Sequence, residues 1–159
     1  MFAQPVEGIK FEFSTSFSMG NIKNEEGIDT GKVFNIPLRI GLFVFEGLEF
    51  EPELLFTITE DSDRIGVLFL GNLVYNFKVS KKMNIFVLGG FGLGNLAQCF
   101  SPEFNYTQNI VAKNFGGGIK YVIGRFVGIR FEYRFASYSE FGNHLRTDHN
   151  IYLGISIFH

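Results

Sequence analysis

Tryptophan is absent from this chain, and cysteine occurs once, at Cys99. A lone thiol excludes an intramolecular disulfide, so no covalent staple holds the fold. Long hydrophobic runs are missing too. The longest apolar stretches, Ile65–Leu70 and Ile85–Leu93, are broken by glycine and fall well short of the ~18 to 20 residues a membrane-spanning helix needs. A helical membrane protein is excluded; a barrel is not. Charge of one sign is also lacking. The 14 Lys and Arg nearly balance 16 Asp and Glu, a formal net charge of -2, so no basic surface points to nucleic acid. No segment sustains a helical period.

What is present is phenylalanine: 21 Phe and 6 Tyr supply almost the whole aromatic content. Hydrophobic residues reach 46%, dispersed singly rather than in blocks. At 159 residues the chain suits one domain, read as 1–159. The opening Met1-Phe2-Ala3-Gln4 lacks the basic and apolar regions of a complete signal peptide. Phe2-Ala3 before Gln4 reads as the tail of an export signal.

Period-two alternation recurs from end to end. Over residues 9–19, Ile9, Phe11, Phe13, Phe17 and Met19 share a face with Thr15, opposite Lys10, Glu12, Ser14, Ser16 and Ser18. Successive side chains of a strand point to opposite faces, so this segment has an apolar and a polar side. Strands of the same kind are predicted over Lys32–Val44, Leu48–Thr59, Arg64–Phe77, Asn84–Gly94, Ile110–Ile123, Val127–Phe135 and Asn150–Phe158. Each is about as long as the ~9 to 11 residues that cross a bilayer at a tilt. Short turns at Glu46-Gly47, Val79–Lys82 and Gly124-Arg125 alternate with links at Gly20–Gly31, Glu60–Asp63, Asn95–Asn109 and Ala136–Asp148. Short turns on one side and mostly longer loops on the other are the outer-membrane pattern. The expectation is an all-β fold, a transmembrane antiparallel up-and-down β-barrel of about eight strands. Pro37 and Pro52 fall inside strands, where they cannot donate to the ladder, and are expected to mark bulges.

Alternation leaves open which face points outward, and a soluble lipocalin-like barrel would turn the apolar face inward around a ligand. Three features favour lipid outside. The apolar set, including Phe11, Phe13, Phe56, Phe69, Phe131 and Tyr133, is large and nearly uniform. The polar set carries the glycines that a narrow lumen needs, Gly90, Gly92, Gly94, Gly116 and Gly118. It also carries charges of both signs, Arg39, Glu49, Glu51, Glu53, Lys120, Arg130, Glu132 and Arg134, able to pair across that lumen. An eight-stranded barrel is just wide enough for its own side chains, so no substantial conductance is expected.

The runs Phe115–Tyr121, Val127–Phe135 and Asn150–Phe158 together resemble the outer-membrane β-barrel domain family that includes OmpA-like and opacity-type porins. The resemblance covers about a third of the chain and implies a bacterial outer-membrane location. That family hosts anchors, adhesins, small channels and enzymes, so it implies fold rather than function. Members commonly end on an aromatic residue; here Phe158 is followed by His159.

Within Tyr133–Glu140 the sequence is similar to the strand end that carries catalysis in lipid A 3-O-deacylases, which place a His two positions before the nucleophilic Ser. Ser139 stands at the nucleophile position and Ser137 where the His belongs, so the resemblance lacks its base; His144 and His149 lie nearby. A polar loop rim is the expectation. His144, Asp148 and His149 lack a tight ligand spacing, and no metal or cofactor is expected. Glu25, Glu26, Asp29, Glu60, Asp61 and Asp63 read as solubilising loop charges, and Arg64 as a contact to lipid phosphate. The functional expectation is a structural or interaction protein, an accessory subunit of a larger outer-membrane assembly. Its expected partners are outer-membrane lipid, including lipopolysaccharide, and that larger complex. The alternatives are a lipid A-modifying enzyme or a soluble ligand-binding barrel.

Overall fold

The computed structural model describes residues 11–23, 29–59, 65–95, 110–140 and 143–159. They form eight strands: β1 Phe11–Lys23, β2 Asp29–Phe45, β3 Leu48–Thr59, β4 Ile65–Lys78, β5 Met83–Asn95, β6 Ile110–Val122, β7 Val127–Glu140 and β8 Asn143–Phe158. Each pairs antiparallel with its neighbour in sequence, and β1 pairs with β8, so the sheet closes without an edge. Phe11 and His159 exchange backbone hydrogen bonds of 3.1 and 3.0 Å where the two ends meet.

The apolar face is the outer one. Phe69 is 57% exposed and Phe131 48%, whereas Glu12, Glu49, Arg130 and Glu132, on the opposite face, are fully buried. A lipocalin-like arrangement would have placed the same two faces the other way round.

Sequence periodicity underestimates the strands at the loop end. β2 begins at Asp29, β7 continues to Glu140, and β8 starts at Asn143, so much of the expected Ala136–Asp148 link is strand. Hydrophobic alternation cannot detect this hairpin tip, because both faces carry polar residues such as Ser137, Ser139, Thr147 and Asp148.

The short turn at Glu46-Gly47 depends on glycine. Gly47 has φ +77°, and a Cβ there would lie 2.9 Å from the Asn76 carbonyl. The Asn76 amide donates to the Gly47 carbonyl at 2.7 Å, tying the turn to β4.

The prolines do not mark bulges. Register runs on across both, with Pro37 opposite Leu55 and Pro52 opposite Gly71; the shifts lie instead at Ile22/Lys23, Phe43/Phe45 and Tyr138/Ser139. What each proline does is interrupt pairing on the side its nitrogen faces. The β1–β2 ladder lapses at Ser16 and Phe17, opposite Pro37 and Ile36. The β2–β3 ladder lapses at Ile40 and Gly41, opposite Pro52 and Glu51. Without the proline N–H, the carbonyls of Ser16 and Ile40 lose their ladder donors.

Candidate functional site

The lumen is filled in layers. Under the loop end sits an apolar cap of Leu55, Leu68, Leu70, Ile110, Ala112, Ala136 and Tyr138. The cavity beside it has only ≈ 10 Å³ of free room, too little to hold more than about one water. Nearer the short turns Val74, Phe86 and Leu88 form a second apolar patch.

An ionic network occupies the middle. Arg39 Nε bonds Glu53 Oε2 at 3.0 Å and lies 3.7 Å from Glu51, with Nη2 3.6 Å from Glu132. Arg134 grips Glu53 at 2.7 Å and Glu132 at 2.6 Å. Arg130 pairs with Glu51 and, at 2.8 Å, with Glu132. Lys120 lies between Glu12 at 2.6 Å and Glu49 at 2.8 Å. Each glutamate of the row Glu49, Glu51, Glu53 therefore has its own cation, which offsets the repulsion of like charges two residues apart on one face.

Aromatic rings and hydroxyls complete the packing. The Tyr152 ring lies under Arg39 and Arg134 at 5.5 and 5.3 Å, and Phe86 lies under Arg130 at 4.6 Å. Arg39 also donates to Ser16 Oγ at 2.8 Å, and Ser156 Oγ donates to Glu12 Oε1 at 2.6 Å. Glu12, Ser16, Tyr152 and Ser156 are network members that charge reasoning passed over. Their place in the alternation, in phase with Ser14 or Arg130, was the available signal. Glycine makes the room: a Cβ at Gly41 would drive into the Glu49 carboxylate.

The outer wall carries the other residues singled out. Phe11, Phe13, Phe69, Phe131 and Tyr133 are exposed on it, and Phe56 is half-buried there. A depression in it, ≈ 600 Å³, is lined by Phe13, Leu38, Ile40, Pro52, Leu54, Phe69 and Ile155. Ile40 and Pro52, at the lapse in the β2–β3 ladder, both line it.

Ser139 is part-buried, and its hydroxyl donates to the Val111 carbonyl at 3.5 Å. Across the β7–β8 hairpin its backbone partner is His144. Asp148 and His149 are consecutive in β8 and so point to opposite faces; they do not converge on one ion. His149 instead hydrogen-bonds the Tyr133 hydroxyl through Nδ1 at 2.6 Å. No cluster fit to hold a metal occurs among the described residues. Met1–Gln4, Glu25, Glu26, Glu60, Asp61, Asp63, Arg64 and Cys99 lie outside the described residues.

No family model and no curated protein matches the chain. Solved structures do. The crystal structure of Neisserial surface protein A superposes with a TM-score of 0.63 over 97% of this chain and 99% of that one, at 12% identity. The outer membrane enzyme PagL gives 0.60 over 92% and 98%, at 16% identity. The Yersinia pestis outer membrane protein Ail gives 0.51 over 95% and 99%, at 13% identity. At such identities the likeness is one of fold: this chain has the eight-stranded architecture of outer-membrane β-barrels.

Proposed function

We propose that this barrel sits in the bacterial outer membrane and acts without catalysis, as an accessory subunit docked by its wall against a larger membrane protein. The C-terminal runs further support placing it with the OmpA-like and opacity-type barrels. A filled lumen argues against a channel, and the apolar outer face argues for lipid around the wall. The observation that carries the subunit reading is the Ile40 carbonyl. It lacks a ladder donor where Ile40 and Pro52 line the wall depression, and in hydrocarbon an unsatisfied backbone group costs several kcal/mol. A neighbouring apolar segment bearing a hydroxyl or amide donor would satisfy it. The test is native mass after extraction from the protein's own outer membrane in mild detergent. A particle containing other subunits supports the reading; a bare monomer overturns it, and solubility without detergent overturns the membrane assignment.

A second reading, a lipid A-modifying enzyme, is favoured by one observation: the hairpin pairs Ser139 with His144, the residue types of a nucleophile and its base. Replacing Ser139 by Ala and weighing lipid A from the host tests it. Unchanged acylation rules it out.

A further inference from the structure

Lys113 is a cation on the wrong face. It belongs to β6, between Ala112 and Asn114, whose side chains are buried in the lumen, and it points out of the barrel, exposed. Every other lysine or arginine that β6 and β7 contribute, Lys120, Arg130 and Arg134, points inward and is ion-paired. Lys113 makes no ion pair with any described residue.

Its neighbours on β5 and along β6 are apolar, while Ser137 of β7 stands opposite it on the other side. Phe91 of β5 lies directly opposite it and is 67% exposed. Phe115, two residues along β6, is 65% exposed and pairs with Phe135 of β7. Beside Phe115, on β5, stands Gly89. A Cβ there would meet nothing nearer than 3.9 Å, so packing does not demand glycine, and its absent side chain leaves the wall open next to the two phenylalanines. An ammonium among phenylalanines on a lipid-facing wall is costly unless it lies at headgroup depth and meets an anion. Its strand position is compatible with that depth: Lys113 is three residues inside the loop end of β6, which begins at Ile110.

We propose that Lys113 holds the phosphate of a phosphorylated lipid in the loop-side leaflet, whose acyl chain lies along Phe91 and Phe115 past Gly89. The orientation is consistent, because Lys113 is nearer the loops than the row of Gly89, Phe115 and Phe135, so the head sits above and the chain runs towards mid-membrane. The proposal rests on the membrane reading above. It is independent of the subunit reading, whose depression lies on β1 to β4 and β8.

The test uses full-length protein in nanodiscs doped with hexa-acyl lipid A, either bearing its phosphates or enzymatically stripped of them, with bound lipid counted by native mass spectrometry. Wild type is expected to retain the phosphorylated form about fivefold better, as one headgroup charge pair allows. Lys113→Ala should abolish that preference, Lys113→Arg should keep it, and Lys32→Ala, at an exposed lysine on β2, should leave it unchanged. Equal retention of both lipids by wild type, or an undiminished preference in Lys113→Ala, overturns the proposal. So does a preference lost equally in Lys32→Ala, which would mark diffuse attraction. A chain that remains soluble and folded without lipid or detergent would instead overturn the membrane reading beneath it.

Discussion

Arg134 on β7 reaches Glu53 on β3 at 2.7 Å, a bond between residues 81 apart in sequence and on strands that are not neighbours in the sheet. Because the bond spans the lumen, it ties opposite walls together as no ladder hydrogen bond can. Glu53 also receives Arg39 from the adjacent β2, and Glu132 binds both Arg130 and Arg134. The network is a brace across the barrel's waist.

Removing one member should therefore cost more than removing a pair. Arg130 is fully buried and faces Glu51, Glu132 and Glu12. Arg130→Met is expected to destabilise the barrel by about 3 to 5 kcal/mol, since it strands buried carboxylates. Adding Glu51→Gln to it should recover part of that loss. Urea unfolding midpoints in micelles check both; equal stability of Arg130→Met and wild type would show that the brace carries no load.

Gly41 and Gly89 should differ sharply in their tolerance of added volume. Gly41→Val pushes into the Glu49 carboxylate and is expected to cost about 1 to 3 kcal/mol or more. Gly89→Ala has open space and should change stability by less than about 0.5 kcal/mol. The heat-modifiable gel mobility of folded barrels reads both variants.

At Pro52 the outcome lies in the ladder. Pro52→Ala supplies an N–H opposite the Ile40 carbonyl. The new amide is expected to exchange with deuterium as slowly as its neighbours in β3. Fast exchange there would mean that a group other than the absent ladder donor keeps the strands apart.

Phe69 tests which medium the wall meets. It is 57% exposed and lies four residues inside the loop end of β4, which begins at Ile65. Phe69→Arg should cost about 1 to 2 kcal/mol for refolding into liposomes, between the values for cations at the interface and at the bilayer midplane. A neutral effect would place the wall in water.

The alternation of β1 and the pairing of charge with glycine on one face were legible without coordinates, because period two maps directly onto the two faces of any strand. So were the turns, since Glu46-Gly47 and Gly124-Arg125 interrupt that period. The β7–β8 hairpin tip was not, because a strand polar on both faces carries no hydrophobic signal.

By itself, then, the sequence determined that the chain is all-β, closed in about eight strands, with one greasy and one charged face. Only the tertiary structure decided which carboxylate each arginine takes. Such partners are set by strand order around the barrel and the stagger across it, and neither is written in the spacing of residues along one strand. It also decided that the prolines interrupt pairing without bulging, since a missing N–H matters on only the one neighbour it would have faced. The outward lysine at 113 stands between the two. Its parity could be read from the sequence, but Phe91 of β5 and Ser137 of β7 stand opposite it only through register.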